Sequence, residues 1–229
     1  MKENFTVLQV PYIDDKVMWE HLKEYEVENM KINRQMAILA TIRKLQFATR
    51  RHVMRVHDMG GIRNANRIMS DLKPYVSKTI QGKEYVYYLN KEGHALFEDD
   101  GKVVSRGKLE HALLRNEAWS QLFCPDNWQI ETDIRYIENK EKKKIIPDVK
   151  FRDEENPLHA VEVDRSQKMK VNEEKLKKYE ELTQIYKQKH NGKLPVIHFF
   201  TVTKYREKKL EELARMYDVF VKVYVIASI

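Results

Sequence analysis

The sequence predicts an α/β chain of the α+β kind in two parts: a small helical unit closed by a β-hairpin, and a larger mixed sheet flanked by helices. Three observations carry this. Within residues 33–97, apolar stripes at helical spacing give way to two alternating runs around a Gly-containing turn. From residue 108 the apolar period changes in the order αβββαβαβ. Between Arg34 and Phe97, twelve Lys/Arg stand against four Asp/Glu, a surplus of eight in a chain whose net charge is +7, so the remainder is nearly neutral. With 229 residues and 42% hydrophobic content there is material for two cores, and the expected division is an N-terminal extension (1–32), a first domain (33–97), a linker (98–107) and a second domain (108–229).

The extension holds an apolar run, FTVLQVPYI, and an acidic helical stretch with Val17, Met18, Leu22 and Tyr25 on one stripe. Met36, Ile38, Leu39, Ile42 and Leu45 give the next helix its inner side. Thr49 is placed to cap RRHVMRVHDM, because its hydroxyl can accept a free N–H of the first turn. Gly60-Gly61 then turns the chain into IRNANRIMSDLK, where Ile62, Ala65, Ile68, Met69 and Leu72 face inward and Pro74 ends the helix. YVSKTIQGKEYVYYL follows as strand, Gly turn and strand. Three helices and a hairpin in this order resemble a winged helix-turn-helix. The resemblance implies that the third helix enters the DNA major groove, with Lys78 and Lys83 of the wing reaching phosphate or the minor groove. Arg63, Asn64 and Arg67 are candidates for base or phosphate contact, and Arg50 and Arg51 of the preceding helix join the DNA-binding set.

After the linker, LEHALLRNEAWSQLF is an amphipathic helix with His111 and Glu117 beside its apolar stripe, and WQIETDIRYI alternates as a half-exposed strand. The second domain centres on IIPDVKFRDEENPLHAVEVDRS, two strands around a polar turn. If that hairpin is symmetric about Glu155, Asp148 lies opposite Glu162. The strand period then puts Val149, Phe151, Val161 and Val163 on one face and Asp148, Lys150, Glu162 and Asp164 on the other. Carboxylates facing one another repel, so a compensating cation is expected, and hard oxygen ligands select Mg²⁺ or Mn²⁺. A solvated hairpin face is the competing reading. A helix from about Val171 to His190, the apolar strand VIHFFTV, the helix KYREKKLEELARMY and a terminal strand complete the chain.

This topology, with Pro147-Asp148 and then Glu162-x-Asp164 on the next strand, resembles the restriction-endonuclease-like superfamily, whose pattern is Pro-Asp, a spacer and Asp/Glu-x-Lys. The winged helix, Pro-Asp, VEVDRS and the helix carrying Lys175 and Tyr179 are together similar to the replication-relaxation family. Its members are plasmid and conjugative-element proteins related to one class of DNA-nicking relaxases. The resemblance implies Asp148 and Glu162 as metal ligands, with Asp164 a third if a carboxylate serves there. The chain departs from the nuclease pattern by placing Asp164 where the catalytic lysine stands. Lys168, Lys170 or Lys175 would have to supply the ammonium that offsets charge at the attacked phosphate, Lys170 and Lys175 foremost. Tyr179 is expected in the core.

The expected function is that of a DNA-binding protein of a bacterial plasmid or mobile element, acting in replication, relaxation or conjugative DNA processing on double-stranded DNA. The second domain would nick DNA with Mg²⁺ or Mn²⁺, or act without catalysis beside a relaxase or replication protein. A transcription regulator whose second half forms a homodimer is the third reading. The single cysteine, Cys124, excludes an internal disulfide and a cysteine-held zinc. With no signal pattern and no run of membrane-spanning length, a cytoplasmic protein without a membrane partner is expected.

Overall fold

The computed structural model describes residues 15–98, 106–156 and 158–226, so FTVLQVPYI, most of the expected linker and the last three residues lie outside it. Helix α1 (Asp15–Leu45) runs unbroken from the acidic stretch into the first apolar-periodic segment, and the boundary expected at residue 32 falls inside it. Strand β1 (Ala48–Thr49) leads into α2 (Arg50–Met54). Thr49 caps α2 as expected: its hydroxyl accepts the His52 N–H at 3.3 Å, and His52 Nδ1 accepts the Thr49 N–H at 3.2 Å. Helix α2 is half the length expected. The chain after Met54 is held instead by the His57 ring against the Thr41 hydroxyl at 2.8 Å and by the Asp58 carboxylate accepting the Gly60 N–H at 3.0 Å.

Helix α3 (Ile62–Asp71) buries Ala65, Ile68 and Met69, while Ile62, expected inside, is exposed. Strands β2 (Val76–Gln81) and β3 (Glu84–Leu89) form the expected hairpin. Its two-residue turn places Gly82 at φ 59°, the left-handed value needed at the first position of a II′ turn. Strand β1 adds to the far side of β3, giving the order β1-β3-β2, and α4 (Lys91–Ala95) closes the unit.

The second part contains α5 (Leu109–Gln121), β4 (Gln129–Ile130), β5 (Ile134–Glu138), β6 (Glu141–Ile145), β7 (Val149–Phe151), β8 (His159–Asp164), α6 (Met169–Lys189), β9 (Val196–Thr201), α7 (Lys204–Ala214) and β10 (Phe220–Val225). The mixed α/β architecture expected is the one found. A five-stranded sheet runs β10-β9-β8-β7-β4, parallel through β8, β9 and β10 and antiparallel at β7 and β4. WQIETDIRYI, expected as one strand, breaks at Glu131 (φ 46°) into β4 and β5. Strand β5 leaves the main sheet to pair with β6 around Asn139-Lys140, whose φ values of 49° and 69° are those of a I′ turn.

The central register is the one expected: Val149 pairs with Val161, Lys150 with Ala160 and Phe151 with His159, symmetric about Glu155. On one face of the sheet, Val149, Phe151, Val161, Val163 and Phe200 join Leu114, Ala118 and Trp119 of α5 in a core that continues into Ile38, Leu39 and Ile42 of α1. On the other face, Leu176, Tyr179 and Leu182 of α6 and Leu210 of α7 cover Ala160, Ile197 and Phe199. Helix α5 is also tied to the turn after α1, because the buried Asn116 amide donates to the Leu45 and Phe47 carbonyls and Arg115 donates to Gln46 at 2.8 Å. Among the described residues, no helix is long and apolar enough to cross a membrane.

Candidate functional site

Strand β8 is buried along its whole length, so Glu162 and Asp164 are charges held under a sheet. An uncompensated carboxylate there costs several kcal/mol, and each has acquired a cationic partner. Lys175 Nζ donates to Glu162 Oε2 and the Tyr179 hydroxyl to Oε1, both at 2.6 Å. Lys175 and Tyr179 stand one turn apart on α6, so a single helix face presents both. Burial and the neighbouring Asp148 carboxylate push Glu162 up to about 7, against the pull of Lys175 and Tyr179. Burial and the charge on Glu162 hold the Tyr179 hydroxyl well above the usual tyrosine range.

Asp164 lies two residues on, facing the same side, where Arg206 of α7 grips it with Nε on Oδ2 at 2.8 Å and Nη2 on Oδ1 at 2.7 Å. The same guanidinium donates to the Gln167 carbonyl at 2.5 Å. Asp148, one residue ahead of β7, meets His111 Nε2 of α5 at 3.1 Å and accepts the Val163 N–H at 2.6 Å. Burial works against its charge, but His111 and Lys175 outweigh it and hold the carboxyl below the usual range. Lys175 itself is held above the usual lysine range: burial opposes its charge, but the fields of Glu162, Asp148 and Asp164 outweigh that.

Of the residues expected at this site, the structure therefore brings together Asp148, Glu162 and Lys175. Lys170 is exposed on the first turn of α6, where its charge is felt by Glu173, and Lys168 is exposed just before it. Asp164 is occupied by Arg206. Both oxygens of Glu162 and of Asp164 are engaged, and among the described residues no group of three or more His, Cys, Asp or Glu is arranged to hold a metal ion. As arranged, this donor set does not fit Mg²⁺ or Mn²⁺: an ion at Asp148 and Glu162 would have to displace the Lys175 ammonium. Sequence reasoning missed Arg206, which stands 42 positions from Asp164 with nothing local to mark it. His111 and Asp148 are each marked in the sequence, but 37 positions separate them and their pairing is not.

The basic residues of the first unit fall into two groups. Arg50 Nη1 donates to Asn66 Oδ1 at 2.6 Å, linking α2 to the outer side of α3. Arg50, Lys73 and Lys78, with Asn66, Ser70, Tyr85 and Tyr87, line a groove of about 460 Å³ between α3 and the hairpin, and no acid lines it. Lys78 Nζ sits 4.1 Å above the Tyr85 ring. Arg63 and Lys83 are exposed nearby in sequence. Arg67 donates to Asn64 at 2.9 Å and lies 3.8 Å from Asp71, while Asn64 donates to the Met59 carbonyl.

Arg51 belongs to the second group. It is bound by Glu117 at 2.6 and 3.0 Å and by Glu84 at 3.2 Å, which keep its guanidinium charged. Burial opposes the charge of Glu117, yet its bonds from His52 and Arg51 bring it down to about 2. This cluster fastens α2 to α5. Lys73, Asn66 and the two tyrosines were absent from the expected set, though the helical spacing of Asn66, Ser70 and Lys73 would have found part of the groove.

A family model described as replication-relaxation matches residues 39–197. No curated protein and no solved structure matches the chain.

Proposed function

Because this chain belongs to the replication-relaxation family, we propose that it is a DNA-binding accessory in the replication of a plasmid or mobile element. The first unit acts as a winged helix-turn-helix on duplex DNA, and the second is a restriction-endonuclease-like fold whose acids now serve structure. One observation carries the DNA reading: the groove between α3 and the β2–β3 hairpin presents Arg50, Lys73 and Lys78 with no carboxylate lining it. Polyanion binding is the ordinary use of such a surface, with phosphate contacts positioning the protein. The accessory reading draws its support from the carboxylates, each of which already has a cationic or N–H partner from the chain itself.

A gel shift on a duplex carrying the element's replication origin, repeated across salt concentrations, tests this. Binding should weaken steeply as salt rises, and Arg50→Ala with Lys78→Ala should flatten the dependence by about two phosphate contacts. A chain that leaves duplex DNA free at low salt ends the reading.

A second reading, metal-dependent nicking, is favoured by the convergence of Asp148, Glu162 and Lys175, and it requires Lys175 to leave Glu162 for the attacked phosphate. Supercoiled plasmid incubated with Mn²⁺ decides between them. The accessory reading expects it to stay supercoiled, whereas nicking that disappears in Asp148→Ala would establish the nuclease.

A further inference from the structure

Among the described strands of the second unit, only β5 and β6 lie outside the main sheet, and the two faces of their hairpin differ. Ile134, Tyr136 and Ile145 turn inward onto the core beneath α6. On the outer face, the register sets Arg135 directly opposite Lys144 and Ile137 opposite Lys142. Like charges directly opposite on a strand pair destabilise it, so a fold that keeps them exposed gains from an external anion. The local acids form an ion pair with Arg135 but, among the described residues, with neither Lys142 nor Lys144. Glu138 and Glu181 are both taken by Lys143, and Asp133 by Arg135 at 2.7 Å. Lys142, Lys144 and Lys189 make no ion pair among the described residues, and they line one depression with Arg135 and its partner Asp133. Between residues 135 and 152 there are seven Lys/Arg against three acids, a local surplus hidden by the near-neutral total of the second half.

We propose that this hairpin is a second DNA-binding element, a cationic finger laid against the phosphate backbone of duplex DNA without reading sequence. Five residues on each strand give it a reach of roughly 17 Å, enough to meet several phosphates. Exposed large apolar side chains are limited to Ile137 and, just past β6, Ile146, too little for a protein partner to bury, whereas the charge pattern matches a polyanion. The inference extends the proposed DNA-binding function to a surface in the other half of the chain.

The test is fluorescence anisotropy on a mixed-sequence duplex with three full-length proteins: wild type, the finger variant Lys142→Glu/Lys144→Glu, and the groove variant Arg50→Ala/Lys78→Ala. Both substituted lysines of the finger are exposed, so thermal unfolding should be unchanged. Losing two phosphate contacts should weaken binding on the order of 10- to 30-fold near physiological salt and lower the salt slope by about 2. A finger variant that binds like the wild type with the same slope overturns the finger and leaves the groove standing. A groove variant that binds normally, beside a weakened finger variant, overturns the groove alone. A wild-type chain that binds no duplex overturns both.

Discussion

Replacing Glu162 by Gln tests the electrostatics of the buried acid directly. The Glu162 carboxyl stands at about 7 where an ordinary glutamate stands at 4.5, because burial and Asp148 oppose its charge more than Lys175 and Tyr179 favour it. The native state therefore holds a proton that the unfolded chain has released. Stability credited to this group is complete below pH 4.5 and declines as pH rises through 7, by about 3 kcal/mol in all. Glutamine keeps one acceptor oxygen, for Lys175, and an amide N–H that can donate to the Tyr179 hydroxyl, but it has no proton to lose. Urea unfolding of both proteins from about pH 4.5 to pH 8 isolates the effect, since every other titrating group is common to the two. The variant should gain on the wild type by about 3 kcal/mol across that range, most of it between pH 5 and 7. A difference that stays flat with pH would mean that Glu162 is ionised throughout, paired with Lys175 as in an ordinary ion pair, and the reasoning about burial would fail.

Other substitutions test other contacts. Arg206→Ala leaves the Asp164 carboxylate 1% exposed and without its cation, and should lower unfolding free energy by about 3–5 kcal/mol, with Asp164→Asn in the same chain recovering part of it in urea titrations. Asn116→Ala removes the donor shared by the Leu45 and Phe47 carbonyls at the seam between α5 and α1, leaving Leu45 only the Phe47 N–H, and should cost about 1–3 kcal/mol and expose residues 46–49 to limited proteolysis. Gly93→Ala would put a Cβ 2.1 Å from the Tyr75 carbonyl oxygen, a backbone atom with little freedom to move. About 2–3 kcal/mol of destabilisation is expected by thermal unfolding, and an unchanged melting temperature would show that α4 docks differently.

The parts of this fold legible in sequence were those with local causes. The DEEN turn fixed the β7–β8 register because a symmetric hairpin leaves one pairing that buries Val149, Phe151, Val161 and Val163 together. Helix α6 declared itself through Leu176, Tyr179 and Leu182 at helical spacing. The β5–β6 hairpin did not, because Asn139-Lys140 lacks the glycine that marks most I′ turns and EKKKI shows almost no apolar alternation. Helix α2 falls short of its expected span for the opposite reason, since RRHVMRVHDM carries a helical pattern that the contacts of His57 and Asp58 override. At the acid cluster the positions of Glu162 and Asp164 followed from strand period. Which cation would answer each did not, because Lys175 and Arg206 reach them from helices whose placement depends on the whole sheet.

The same distinction governs how much of the basic charge would be open to the proposed DNA. The surplus of eight between Arg34 and Phe97 includes Arg51, whose charge Glu117 and Glu84 already absorb, and Arg67, which leans on Asp71. Helix α5 makes the first of these permanent, because Glu117 also binds the buried His52 and is anchored beside Asn116. Freeing Arg51 for a phosphate would loosen the joint between the two halves. Arg50, Arg63, Lys73, Lys78 and Lys83 on the first unit, and Lys142, Lys144 and Lys189 on the second, make no ion pair among the described residues. If each met one phosphate, the logarithm of affinity would fall against the logarithm of salt with a slope of about −7, and that is an upper bound for these two surfaces. A measured slope well beyond it would require the Arg51–Glu117 joint to open on binding. In that case DNA contact and the packing of α5 against the acid cluster would be coupled through His111 and Asp148.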